Sequence, residues 1–542
     1  MPAAVIRDDG LPAPHSQELP VTVTQAETPR AIAPNAPTVA VVTLGCGRNE
    51  VDTDQLQGLF NIHGHTVVDE AEGADVVLVN TCTFIAPAKQ ESVDTVLAAC
   101  DLKKSGTKAV VVVGCMAQRY PHELADSIPE ADAVVGFAGY NDLPNLVDRI
   151  LAGEQFDRVI VESEPQTATP TATRPRPLLP LLVMPTSVEE APPERVPVRL
   201  MNSDADLARM PASGPRFPVR TFDSSKPWAY LKIAGGCDRV CTFCAIPSFR
   251  GSFQSRGLDE LIAEAAWLSE QGARELVLVS ENTTSWGKDL DSWNGNPGGR
   301  DLQSTMLREL SAVDGIERIR LLYLQPAELQ WPLLEAMAEL PEVVPYVDLS
   351  LQHVSSDILT SMKRSGSPER FLELIGRIRT LMPDAAFRSN LILGFPGETE
   401  RHVQQIEDFL TEARLDWVGL FPFSVEDGTP SAEFEDQVPQ DVAHDRVERV
   451  AALQDRIADD IAAAHVGQQV AVLVDRVEDG TGYEEAGVYG RTPQMAPDTD
   501  GEVRLELADG TIPDLPVGRT VDAVVTASEG VDLVAAPLGP VR

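Results

Sequence analysis

The sequence predicts an α/β multidomain chain: an N-terminal parallel α/β domain, a partial (βα)6 barrel and a small C-terminal antiparallel β-barrel. Three observations predict it. Near-continuous apolar runs alternate with helical patterns over 38–153, as parallel strands buried on both faces require. The same alternation returns over 222–465 with six strand-like runs, short of the eight of a closed βα barrel. From 466 the pattern changes to short alternating strands with glycine turns.

At 542 residues the chain has room for about three domains. Residues 1–37 are rich in Pro, Ala and Thr and lack a charged-then-apolar signal pattern, so a disordered leader is expected. In 38–153 the strands are read at Val39–Leu44, Asp75–Val79, Ala109–Val113 and Asp132–Val135. Cys46, Cys82 and Cys115 each follow one of the first three. Carboxyl ends of parallel strands share one edge, so these thiols can meet although they are far apart in sequence. Glycines flank two of them: Gly45 and Gly47 around Cys46, and Gly114 before Cys115. Cys100 falls late in the helical stretch Ala86–Asp101 and reads as a structural or incidental thiol.

Residues 154–221 hold 12 prolines in 68 positions and read as a linker or insertion. In 222–465 the strands are read at Trp228–Ile233, Glu275–Ser280, Arg318–Leu324, Tyr346–Leu351, Phe387–Leu393 and Trp417–Pro422. Helices Leu258–Gln271, Pro368–Met382 and Thr399–Ala413 fall between them, and Gln440–Ala464 is a terminal helix. On the loop leaving the first barrel strand stands a CxxxCxxC run, Cys237, Cys241 and Cys244, with Phe243 before the last thiol. Soft thiolates at this spacing suit an iron–sulfur cluster or zinc. Structural zinc wants four ligands, and the nearest His or Cys in sequence is His353.

No apolar run reaches the roughly 18 residues that span a bilayer, so no membrane partner and a cytoplasmic location are expected. Seven cysteines, an odd number scattered through a long chain, fit metal-bound thiolates better than a disulfide framework. The net charge of −39 argues against a broad nucleic-acid surface; it either favours a basic partner by steering or only keeps the protein soluble. The C-terminal 77 residues alone hold 5 Arg, no Lys and 14 Asp plus Glu, a net −9. No Walker or dinucleotide fingerprint is present.

Taken together, the chain resembles the radical S-adenosylmethionine (SAM) methylthiotransferases. The segments that carry the resemblance are Gly236–Gly251, Thr81–Lys89 and Gly490–Asp498, and within the family they are most similar to the RimO-type branch. The resemblance implies a cluster domain over 38–153, a radical-SAM core over 222–465 and a TRAM barrel over 466–542. It implies two [4Fe–4S] clusters, on Cys46, Cys82 and Cys115 and on Cys237, Cys241 and Cys244, together with SAM. The implied reaction is methylthiolation of the β-carbon of an aspartate in small-subunit ribosomal protein number twelve. A tRNA adenosine methylthiotransferase is the alternative. Phe243, Arg388 and the loop Gly394, Gly397 and Glu398 are the implied SAM-side residues, with a barrel ion pair the other reading of Arg388. His353 and Gln352 stand at the implied barrel mouth, a satisfied structural histidine being the other reading. Where many relatives have Gln-Asp after the second barrel strand, this chain has Glu281 and Asn282. The implied partners are the basic ribosomal protein, met by the acidic TRAM barrel, and an electron donor such as flavodoxin or ferredoxin. A monomer is expected.

Overall fold

The computed structural model describes residues 36–161, 220–290, 301–480, 486–507 and 511–538. All but the last two residues of the expected leader and most of the Pro-rich stretch lie outside them. Among the described residues no helix is long and apolar enough to cross a membrane.

The N-terminal domain is a six-stranded parallel sheet of β1 (Thr38–Thr43), β2 (Thr66–Val68), β3 (Val76–Thr81), β4 (Ala109–Val113), β5 (Ala133–Val135) and β6 (Val159–Ile160). Their spatial order is β2-β1-β3-β4-β5-β6. Every residue of β3 and β4 is buried. Alternate side chains feed opposite faces, as the two-residue period of a strand requires. Leu78 and Val111 pack with Leu56 and Phe60 of helix Gly47–His63, whereas Val77 and Val110 pack with Val96 and Cys100 of helix Ala86–Asp101. Cys100 is buried in this core, so of its two readings the structural one holds. The sheet runs past the expected boundary at Gly153, because Val159 and Ile160 pair with Val134 and Val135. Strands of two and three residues such as β6 and β2 are too short to leave a periodic signal.

The second domain has six parallel strands: β7 (Trp228–Lys232), β10 (Glu275–Val279), β11 (Arg318–Leu321), β12 (Tyr346–Gln352), β13 (Ala386–Leu393) and β14 (Trp417–Pro422). A short antiparallel pair, β8 (Ala234–Gly235) and β9 (Gln254–Ser255), brackets the loop that carries Cys237, Cys241 and Cys244. The trios β7-β10-β11 and β12-β13-β14 meet through bridges Ile319–Val343 and Leu324–Leu349, giving the predicted partial barrel. Helices Leu258–Gln271, Leu302–Ser311, Trp331–Glu339, Pro368–Leu381 and Glu400–Ala413 cover its outside, and the terminal helix Gln440–Ala464 leans on β14.

The C-terminal unit is a closed barrel of β15 (Gln469–Glu478), β16 (Gly487–Arg491), β17 (Val503–Leu505), β18 (Thr520–Glu529) and β19 (Asp532–Pro537), in the order β15-β16-β17-β19-β18. It departs from the antiparallel expectation at one seam, where β17 and β19 run parallel. Its segment Arg491–Asp500 closes the base of the larger barrel. Arg318 donates to the Arg491 carbonyl (2.8 Å), Arg320 to the Pro493 carbonyl (3.0 Å) and Trp417 Nε1 to the Gln494 carbonyl (2.9 Å), and Tyr346 Oη donates to Asp500 (2.6 Å). Ala496 enters the barrel's interior cluster beside Trp228, Tyr346 and Ala386.

Candidate functional site

Cys46, Cys82 and Cys115 sit just past the ends of β1, β3 and β4, on the single edge that parallel pairing provides. Gly45, at φ 100°, lets its backbone lie against Cys82; a Cβ there would stand 3.0 Å from the Cys82 Sγ. Gly114, at φ 92°, passes so near β3 that a Cβ would stand 2.6 Å from the Thr81 nitrogen. Asn49 ties the trio's backbone together: its amide donates to the carbonyls of Leu44 (2.8 Å) and Thr81 (3.2 Å), and the Cys115 thiol lies 3.5 Å from its Oδ1. The three thiols act on one another electrostatically. Burial, with the charge of Cys115 beside it, pushes Cys82 up to about 12. Burial raises Cys115 as well, against the pull of Arg250. Burial also acts to raise Cys46, but Arg48 and Arg250 more than reverse it, leaving that thiol below its ordinary value.

The second trio comes from the barrel. Cys237, Cys241 and Cys244 lie within one loop, where the Cys237 N–H donates to the Gly251 carbonyl (3.0 Å). Burial pushes Cys244 up to about 12, partly offset by the nearby Arg48, and burial raises Cys237, which feels the charge of Glu281. Arg48 joins the first trio to the barrel. It donates through Nε to Cys46 Sγ (3.3 Å) and through Nη1 to the Ser280 carbonyl at the end of β10 (3.0 Å). Arg250, from the short helix after the second trio, donates to Cys115 Sγ (3.1 Å) and Asn49 Oδ1 (2.6 Å). Lys232 and Asp52 add a buried pair (2.7 Å) between the two domains.

The other predicted residues divide. Phe243 packs with Met362, Phe395 and Phe423, so an apolar cluster joins the second trio's loop to the turn after β13. Gly394, at φ 78°, is required by close packing on Ala443 of the terminal helix. Gly397, at φ 82°, has open space where a side chain would stand. Glu398 braces its own loop, accepting from the Gly394 N–H (2.9 Å) and pairing with Arg446 (2.8 Å) and His353 (3.3 Å). His353 is wholly buried, and its Nδ1 accepts from the Ser355 N–H (2.9 Å); that fixes the proton on Nε2, facing Glu398. It is the satisfied structural histidine. Gln352 adopts φ 69° at the end of β12. Arg388 sits at the third position of β13, toward the plugged base, against Asp348 (3.7 Å) and Asp500 (3.6 Å). Of its two readings the ion pair is the one the geometry supports, since its charge is already met by two carboxylates.

The sequence pattern assigns no role to Arg48, Arg250 or Arg364. Arg364 Nη1 lies 3.8 Å from Cys241 Sγ. The Arg48 and Arg250 contacts depend on how the two domains dock, and the Arg364 contact on how the barrel brings distant positions together, and no local pattern announces either. Arg250 stands inside the segment Gly236–Gly251 that carries the family resemblance, which is the one signal the sequence offers for it.

Two comparisons place the chain among known proteins. Residues 38–136 match the uncharacterized protein family UPF0004, 231–410 the radical SAM superfamily and 466–538 the TRAM domain. The chain is 48% identical over 503 residues to the ribosomal protein uS12 methylthiotransferase RimO of Kineococcus radiotolerans, covering 92% of this chain and 97% of that one. The RimO proteins of Streptomyces coelicolor and Saccharopolyspora erythraea are 47% and 48% identical, with 93% and 92% of this chain covered and 97% and 95% of theirs. The chain belongs to the RimO family of radical-SAM methylthiotransferases.

A RimO enzyme uses SAM and two [4Fe–4S] clusters, and the two trios suit them. Each offers three soft thiolates, the donor chemistry of an iron–sulfur cluster with one iron left free. Among the described residues no three His, Cys, Asp or Glu side chains gather closely enough for one lone metal ion. Beside the first trio of this RimO-family chain, the buried Arg250 Nη1 has no hydrogen-bond partner, a donor that cluster sulfur would satisfy.

Proposed function

We propose that this enzyme methylthiolates the β-carbon of an aspartate in ribosomal protein uS12. Arg250, six residues after Cys244, donates to Cys115 Sγ at 3.1 Å, and that crossing between the two cysteine trios carries the reading. Cys237, Cys241 and Cys244 would hold the cluster whose free iron receives SAM, and Cys46, Cys82 and Cys115 the auxiliary one. When bound, these groups supply one-electron cleavage of SAM and a transferable sulfur, which an unactivated C–H bond needs because acid–base chemistry cannot break it.

The chain's own share is positioning and exclusion of water. Arg48 and Arg250 hold Cys46 and Cys115 against the barrel. The cluster of Phe243, Phe395 and Phe423 keeps the second trio's loop dry on one side. The 3.8 Å approach of Arg364 to Cys241 places a cation beside that trio.

Charge supports a basic protein substrate over tRNA. The TRAM unit carries a net −9, and three of its five arginines are engaged by carboxylates: Arg476 by Glu502 (2.6 Å), Arg491 by Asp475 (2.6 Å) and Arg504 by Glu506 (2.7 Å). A barrel gripping tRNA would gain its affinity from basic groups that neutralise phosphates and release their counterions; a basic ribosomal protein gains from the acidic surface. The named relatives are uS12 enzymes. We further propose a cytoplasmic monomer reduced by flavodoxin or ferredoxin.

Mass spectrometry of a deletion strain tests this reading. The uS12 protein should lose its methylthio mass while tRNA modification is unchanged. Unmodified tRNA adenosine with normal uS12 would overturn it.

A further inference from the structure

Arg250 ends a helix only six residues after Cys244, yet it reaches the opposite domain. Its Nη2 donates to Cys115 Sγ (3.1 Å) and Asn49 Oδ1 (2.6 Å) and lies 3.3 Å from Asp52 Oδ2. Arg48 makes the reverse crossing. It begins beside Cys46, donates to that thiol (3.3 Å), and reaches the Ser280 carbonyl on the barrel (3.0 Å). One carboxylate serves both: Glu281 Oε1 is 3.7 Å from the Nε of each arginine. The Glu281 side chain is 1% exposed, and neither oxygen makes a hydrogen bond. Aromatic rings fix the guanidiniums from another side, Tyr323 at 5.1 Å from Arg48 and Phe137 at 5.0 Å from Arg250.

We propose that Arg48, Arg250 and their shared partner Glu281 are positioning residues that lock the two cysteine sites together and tune the reduction potential of the auxiliary cluster. The inference rests on the reading above, that Cys46, Cys82 and Cys115 bind a cluster. N–H donors and positive charge beside cluster thiolates stabilise the more negative, reduced state and raise its potential; a buried carboxylate does the opposite. Burial strengthens both effects. The auxiliary trio receives guanidinium donors at 3.1 and 3.3 Å, whereas the Arg364 contact to the other trio is longer, at 3.8 Å. Two sites with the same ligand chemistry are thereby held at different potentials, the auxiliary one higher, which suits one to pass electrons and the other to keep its sulfur.

The experiment uses the full chain with Cys237, Cys241 and Cys244 changed to Ala, so that one cluster is read alone. It is reconstituted anaerobically and titrated by EPR. Failure of this parent to bind iron would defeat the cluster reading itself. With iron bound, Arg250→Gln and Arg48→Gln are expected to lower the midpoint potential, and Arg250→Lys to recover part of the loss, because it keeps the charge without the fork. Glu281→Gln, nearly isosteric but uncharged, is expected to raise it. A merely structural role would not move these variants in opposite directions. Unchanged midpoints in both arginine variants, or a Glu281→Gln shift of the same sign as Arg250→Gln, would overturn the proposal. If Arg250→Gln takes up no iron, the sign of the Glu281→Gln shift decides.

Discussion

Glu426 Oε2 stands 2.7 Å from Arg119 Nη1 across the seam between the parallel-sheet domain and the barrel, with the two side chains 3% and 6% exposed. Lys89 joins the same oxygen at 3.0 Å, and Ser424 donates to the other oxygen at 2.8 Å. Lys89 lies in the helix that begins just past Cys82, and Arg119 in the short helix containing Cys115. One carboxylate of the barrel thus pins the chain downstream of two auxiliary-site thiols.

Removing that carboxylate takes the ion-pair partner from the buried Arg119 guanidinium and from the partly exposed Lys89, and losing one partner of a buried pair costs about 3–5 kcal/mol. Glu426→Ala is expected to lose stability of that order by urea denaturation of the holoenzyme. A double-mutant cycle with Arg119→Met should return a coupling energy above about 1 kcal/mol. Coupling near zero would mean that the clasp contributes nothing.

The base of the barrel makes a pH prediction. Burial alone would raise the Glu275 carboxyl, but the guanidiniums of Arg320, Arg491 and Arg318 more than reverse it and hold it at about 2. Glu275 and Arg320 are fully buried, 2.7 Å apart. A folded value below the unfolded one of about 4.3 stabilises the protein above that pH, and the gain is lost as pH falls toward about 2. The shift corresponds to about 3 kcal/mol at neutral pH. Glu275→Gln is expected to lose that much at about pH 7, and the gap from wild type should shrink between about pH 4.3 and 2. A gap constant with pH would contradict the linkage.

The cysteine trios predict a separation of activities. Cys241→Ala is expected to abolish SAM cleavage, because under the proposed assignment that thiol would hold the cluster whose free iron takes SAM. Cys82→Ala is expected to leave reductive SAM cleavage in place and stop methylthio transfer. Chromatography of the cleavage products beside mass spectrometry of uS12 reads both steps. Full product formation by either variant would remove the two-cluster assignment.

The convergence of Cys46, Cys82 and Cys115 is legible in the sequence alone, because three strand ends of one parallel sheet must share an edge. The six barrel strands are legible for a similar reason: buried runs such as Glu275–Val279 and Tyr346–Gln352 are long and apolar enough to announce themselves. Arg48 and Arg250 are not, since each makes its decisive contact with a residue of another domain, as when Arg250 meets Cys115 across 135 positions. The plug Arg491–Asp500 is legible as a motif but not as a lid on the barrel, because its partners Arg318, Arg320 and Tyr346 lie far back in the chain. The Arg388 alternatives cannot be separated by sequence, as the deciding carboxylate, Asp500, comes from the C-terminal unit.

Two glycines allow each site to be damaged independently without touching a thiol. Gly114 precedes Cys115 at φ 92°, and a Cβ there would stand 2.6 Å from both the Thr81 nitrogen and the Thr81 oxygen. Gly236 precedes Cys237 at φ 76°, and its Cβ would run into the Ser252 carbonyl and stand 2.7 Å from the Gly251 carbonyl. Backbone cannot yield as a flexible side chain does, and positive φ adds strain for any Cβ. Each Ala substitution should therefore move one strand end or loop away from its trio. Wild type should bind about eight irons, four for each cluster. Gly114→Ala should keep about four and retain SAM cleavage, and Gly236→Ala should keep about four and lose it. Equal iron loss from both sites in either variant would mean that the two trios are not independent binding sites but rise and fall as one folding unit.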